Sequence, residues 1–162
     1  MEQSSHDGIQ PYVVTFTSLI NLFVRLENAE RAYAVFEEMK KAGIQPNVVS
    51  FHSLIDVLVK TGAVDKAKVI FKEHLTIKME KKMIDLHDLS HGAAYIAFLI
   101  YIEKEGITKS LILITGKGLH ERHEFLALSH FLQSKIRDNH PELCCKVDDS
   151  NQGRLIVETK GI

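Results

Sequence analysis

GIQPYVVTFTSLI at residues 8–20 returns as GIQPNVVSFHSLI at residues 43–55, an offset of 35 that needs no gap. The same offset carries Ala32 onto Ala67 and Phe36 onto Phe71. Self-similarity at a fixed period of this size is the mark of stacked helical repeats. Each unit reads as two helices. Phe16, Leu19, Ile20 and Phe23 recur at i, i+3, i+4 and i+7, which gathers them on one helical face. Ala29, Ala32, Phe36 and Met39 make the stripe of the partner helix, and Gly43 followed by Pro46 is a helix stop. The second unit repeats the scheme with Phe51, Leu54, Ile55 and Leu58, a turn at Gly62, then Val64, Ala67 and Phe71.

Composition narrows the function classes. The chain has 162 residues, is 45% hydrophobic and 25% charged, and carries a net charge of −1. A strongly basic chain would bind nucleic acid by bulk charge; this one needs local cations, stacking or hydrogen bonds instead. Cys144 and Cys145 are neighbours, so no disulfide is expected and a reducing compartment is implied. No run of about 18 apolar residues occurs, so no membrane partner is expected. Met1 to Gly8 is polar and holds no recognisable targeting signal.

The pattern changes after Glu80. Lys78 to Lys82 reads as a charged linker into a strand at Met83–His87. Ser90 caps a helix that runs to Glu105 and stops at Gly106. Leu111–Ile114 is a continuous apolar run, expected of a strand covered on both faces. A helix over about residues 121–138 follows, with Phe125, Leu128, Leu132 and Ile136 on one face. Strands are expected at Cys144–Val147 and Leu155–Thr159, with the turn at Asn151-Gln152-Gly153. The predicted fold class is thus α plus α/β: two α-helical hairpins of an α-solenoid, then a small β-α-β-α-β-β two-layer sandwich.

Two features of the second part carry chemistry. Asp85 and His87, two apart, are expected to leave one face of the strand, where a carboxylate orients an imidazole and raises its basicity. Thr115-Gly116-Lys117-Gly118 lies between a strand and a helix, where backbone amides approach a phosphate and a lysine adds charge. A β-α-β crossover brings the carboxyl ends of both strands to one edge, the usual ligand edge of an open sheet. Other candidates for metal binding are weaker. His120, Glu121, His123 and Glu124 read first as a solvated helix start, and Cys144-Cys145 point to opposite faces. No metal site is assigned; a divalent ion such as Mg²⁺ is an option that no carboxylate cluster demands.

Over residues 8–80 the chain resembles the pentatricopeptide repeat family, through VVTFTSLI, the AxxVFEEMKKAGIQPN run and VVSFHSLI. Tetratricopeptide repeats, with a period of about 34 residues, fit less well. The resemblance implies repeats at about residues 13–47 and 48–80, preceded by the tail of an earlier repeat and therefore by a longer array. It implies that each repeat takes one base of single-stranded RNA. The base would be selected by Thr17 with Asn47, a pair that the family reads as adenine, and sandwiched by Val14 and Val49. In the second unit the selecting position is His52, an uncommon choice, and the closing one falls at Lys82.

Residues 82–162 resemble the small MutS-related (Smr) domain, through Ile84-Asp85-Leu86-His87, Thr115-Gly116-Lys117-Gly118 with His120, and the closing Gln152-Gly153-Arg154-Leu155-Ile156-Val157. This implies nucleic-acid binding, of RNA or of DNA, and endonuclease activity in several members. Asp85 and His87 would be catalytic, and Thr115, Gly116, Lys117, Gly118 and His120 would hold phosphate. Asp88 departs from the pattern, standing where a glycine is usual, and so does the segment after His120. The pairing of the two families implies organellar RNA processing, in a mitochondrion or plastid, with no small-molecule cofactor. Three functions stay open at this point: RNA cleavage guided by the repeats, RNA binding without chemistry, and a protein-interaction scaffold.

Overall fold

The structure is a computed structural model that describes residues 9–75, 79–80, 82–107, 110–116 and 122–161. The chain divides into two compact units, Met1–His74 and Leu75–Ile162.

The first unit is two helical hairpins. Helices α1 (Ile9–Arg25) and α2 (Ala29–Lys41) form one, and α3 (Val48–Lys60) and α4 (Val64–His74) the other. α3 packs on both helices of the first hairpin as well as on α4. The predicted stripes meet between them: Ile20, Ala32, Phe36, Met39, Leu54, Ile55, Leu58, Ala67 and Phe71 are buried. Phe36 meets Phe51 edge-on at 5.6 Å, and His74 stacks on Phe51 at 4.3 Å. Two expectations need correction. Leu19 belongs to the predicted stripe but is exposed. Ile9, Gln10 and Pro11 are helical, although their counterparts 44–46 form a loop; proline is tolerated in a helix's first turn, where its missing N–H has no intrahelical acceptor.

The ends of α2 and α3 share one geometry. After α2, Gly43 donates to the Lys40 carbonyl and Ile44 to that of Met39, with Gly43 at φ +72°. After α3, Gly62 donates to Val59 and Ala63 to Leu58, with Gly62 at φ +82°. This paired closure satisfies the last helical carbonyls and requires a left-handed residue.

The second unit is a mixed sheet carrying two helices. β1 (Met79–Glu80), β2 (Met83–Asp85), α5 (His91–Glu105), β3 (Ser110–Ile114), α6 (Arg122–Asn139), β4 (Leu143–Asp148) and β5 (Asn151–Thr159) follow in order. Among the described strands the sheet order is β1-β2-β3-β5-β4, with only β2 and β3 parallel. Ile84, Leu111, Leu113, Leu155 and Val157 share the buried face. Leu128, Leu132 and Ile136 of α6 are buried as expected, while the side chain of Phe125 lies outside the described residues.

Four expectations change here. Part of the expected linker is strand β1, which pairs Met79 with Ile84 and Glu80 with Met83. β2 ends at Asp85, so His87 sits in the turn beyond it. β3 alternates buried and half-buried residues, so its apolar run is covered on one face, with Ile112 and Ile114 on the other. The last turn falls at Asp149-Ser150, and Asn151-Gln152-Gly153 begin β5. Asp148 makes that turn, its Oδ1 accepting from the Ser150 N–H at 2.9 Å and hydroxyl at 2.6 Å.

Candidate functional site

In the helical unit, Asn47 caps α3. Its Oδ1 accepts from the Ser50 N–H and from the Ser50 hydroxyl, both at 2.9 Å. The Ser50 oxygen lies 2.8 Å from the Thr17 hydroxyl of the preceding hairpin. The two expected selecting residues are therefore brought together, through a third residue that the sequence reading missed. Thr17 is only 8% exposed, whereas Asn47 stays exposed. Val14 and Val49 are both open to solvent. His52 is half-buried; burial lowers its pKa against the opposing pull of Asp56, and its Nε2 is buried without a hydrogen-bond partner among the described residues.

In the sheet unit, the parallel pairing sets Asp85 beside Ile114, and the ladder extends one step as Leu86 donates to the Ile114 carbonyl at 2.8 Å. The ends of β2 and β3 thus lie side by side, which puts His87 against the glycine loop. Gly116 has φ +85°, and a Cβ there would stand 3.1 Å from the His87 Cβ. Thr115 is buried and anchored, its N–H and hydroxyl reaching the Gly153 carbonyl at 3.0 and 3.3 Å. Lys117, Gly118 and His120 lie outside the described residues, as does Glu121.

His87 is held on both ring nitrogens. Nδ1 is 2.5 Å from Asp85 Oδ1, and Nε2 is 2.9 Å from Asp88 Oδ2. The expected carboxylate–imidazole contact is present, but the turn makes it rather than a shared strand face. The hydrogen bond to Asp85 is the main reason that the His87 pKa is raised; burial opposes it, and the charges of Asp85 and Asp88 add smaller upward contributions. A carboxylate at each nitrogen favours the imidazolium form, which can donate from both nitrogens.

Arg154 is a further cation of this face. It pairs with Ile114, which pairs with Asp85, so cross-strand register puts all three in one row. Only a correct register reveals it. Among the described residues no three His, Cys, Asp or Glu side chains group to hold a metal ion. Cys144 is exposed and Cys145 half-buried, and burial pushes the Cys145 thiol up to about 12, which makes it an inert thiol. Among the described residues no helix is long and apolar enough to cross a membrane.

Against known proteins, no curated protein matches the chain. Residues 1–61 match the family model of the pentatricopeptide repeat domain, so this stretch of the helical unit is similar to a pentatricopeptide repeat.

Proposed function

We propose that this protein binds single-stranded RNA along its helical hairpins and holds RNA phosphate at the β2–β3 edge of its sheet unit. The family match over residues 1–61 carries the first half of this reading, because RNA is the ligand that a pentatricopeptide repeat suggests. The open valines Val14 and Val49, flanking the Thr17–Ser50–Asn47 chain, suit a base laid flat between apolar side chains. The test is titration of labelled single-stranded RNA at low salt, with Val14→Asp and Val49→Asp as variants. Binding that either aspartate weakens several-fold supports the reading. No binding to any single-stranded RNA sinks it in favour of a protein-interaction scaffold.

For the sheet unit, likeness to the small MutS-related domain rests on Asp85, His87, Gly116 and the β5 segment around Arg154. His87 as imidazolium, with Arg154 in the cross-strand row of Asp85, offers positive charge to a phosphate. A phosphate at His87 Nε2 has to displace Asp88 first. That competition weakens both phosphate binding and proton donation at Nε2 in the observed arrangement. Cleavage is the second reading, and the short Asp85–His87 bond favours it, since an oriented imidazolium can give its proton to a leaving oxygen. Incubation with RNA separates the two, with His87→Ala alongside. Cutting that the variant loses makes the unit a nuclease; equal cutting by both proteins traces the activity to contamination.

A further inference from the structure

We infer that the helix-free face of the sheet unit binds the same face of a second copy of this chain, about a two-fold axis that runs along β3. Both crossovers, β2-α5-β3 and β3-α6-β4, step across the sheet in one direction, so right-handed connections put α5 and α6 on one side. The two helices pack on each other there, over the buried Ile84, Leu111, Leu113, Leu155 and Val157. Among the described residues no helix of the sheet unit lies on the opposite side.

Strand register orders the side chains of that opposite side into rows. One row runs Glu80, Met83, Ile112, Ile156, Lys146 across all five strands. Its two charged ends are exposed and its three apolar members half-buried. The next row, two residues along, runs Asp85, Ile114, Arg154. Both rows have one design: a carboxylate on the β1–β2 side, an isoleucine on β3, and a cation on the β5–β4 side. Sheets that pack face to face keep their strands within about 30° of each other. A two-fold axis along β3 keeps strand direction and reverses strand order, so each row faces itself reversed. Glu80 then meets Lys146 of the second copy, Met83 meets Ile156, and Asp85 meets Arg154. Ile112 and Ile114 each meet themselves. An axis across the strands keeps strand order instead and sets carboxylate against carboxylate. Charge thus picks one of the two arrangements. Lys146 already meets Glu158 at 3.3 Å, but an ammonium has three donors and can serve both carboxylates. The rows hold no aromatic ring on which a base could stack, which separates this face from a nucleic-acid platform. The inference does not depend on RNA binding. The two meet only at Arg154, where a phosphate would compete with Asp85 of the second copy.

Five strands at about 4.8 Å spacing make a small face, so the dimer is a weak one. The full chain without RNA is followed by sedimentation equilibrium from about 5 μM to about 500 μM, the range that a small interface requires. The mass should climb from 18.3 kDa towards twice that value. Glu80→Lys and Lys146→Glu change exposed ends of the row, where the fold tolerates them. Each should weaken the dimer by about tenfold, since two-fold symmetry spoils two pairs at once. Mixed in equal amounts, the two variants should associate again, because each then faces opposite charge at both positions. A chain carrying both changes should dimerise about as wild type does. A mass that stays at one chain throughout the range overturns the inference. So does a dimer that both reversals leave unchanged, which would use another surface. A weakened dimer that neither the mixture nor the double variant restores overturns the axis along β3.

Discussion

His87 stands between two carboxylates that act on different nitrogens, so their contributions to its titration can be separated. Its pKa is raised, chiefly by the hydrogen bond to Asp85 and secondarily by charge, Asp88 included. A histidine whose folded pKa is raised stabilises the fold below its unfolded pKa, and that contribution disappears as pH rises through the folded value. By NMR, the His87 ring should titrate above the ordinary histidine value. Asp85→Asn should lower the midpoint more than Asp88→Asn does; the reverse order would mean that the turn holds His87 mainly through Asp88. The neighbouring glycine gives a second residue-scale test. Gly116 and Gly106 are both left-handed, at φ +85° and +67°, but only Gly116 has a side chain in the way. Gly106→Ala should cost about 1–3 kcal/mol from backbone strain alone, because φ +67° with ψ 179° is essentially a glycine-only conformation. Gly116→Ala should cost more in the same urea melt and should also move the His87 signals, because its methyl meets the His87 Cβ at 3.1 Å. The meeting of these residues was legible in the sequence, since a parallel β-α-β pairing brings two strand ends together whatever the side chains are. Ser50 was not legible. A buried serine in a helix looks like any small residue until its partners, 33 residues back and 3 residues back, are placed around it.

Element boundaries were readable wherever one residue type has one physical job. Ser90 caps α5 by accepting from the Ala93 N–H, Gly106 ends it, and Gly43 and Gly62 close α2 and α3 in left-handed geometry. Boundaries set by pairing were not readable. β1 is two residues long and owes its strand geometry to β2, and the β4–β5 turn moved because the carboxylate of Asp148 captured Ser150 ahead of the Asn-Gln-Gly run. The repeat itself exposes a local fault. The turn between α1 and α2 closes as the one after α3 does: Glu27 donates to Val24 at 3.0 Å and Asn28 to Phe23 at 2.9 Å. Residue 27 is the counterpart of Gly62 at the repeat offset, yet it is a glutamate held at φ +53°. Glu27 does gain an ion pair with Lys60 at 2.7 Å, but both side chains are largely exposed, so the pair contributes little. Glu27→Gly should stabilise the helical unit by about 0.5–1 kcal/mol, since relief of left-handed strain exceeds the lost ion pair. A urea midpoint that falls would show that Lys60 matters more than the backbone.

The repeat also makes the first unit its own control for burial. Leu19 and Leu54 are the same residue at the same place in successive hairpins, 35 positions apart. Leu54 is 0% exposed, because α3 has the α1–α2 hairpin on one side and α4 on the other. Leu19 is 41% exposed, because α1 packs on α2 and α3 only among the described elements. The apolar pattern is identical, so sequence periodicity assigned both to the core; neighbours decide, and a stacked repeat has them on two sides only in its interior. Leu54→Ala should therefore destabilise the unit by about 2–5 kcal/mol, and Leu19→Ala by less than about 1 kcal/mol. Joining one further hairpin of the same repeat ahead of α1 should remove the inequality for Leu19. The added helices would cover it as α1 and α2 cover Leu54, the unit's urea midpoint should rise, and Leu19→Ala should then cost what Leu54→Ala costs. If Leu19 stayed tolerant of alanine in the lengthened protein, α1 would not be an internal repeat face at all. The 35-residue likeness would then describe sequence without describing how the hairpins stack.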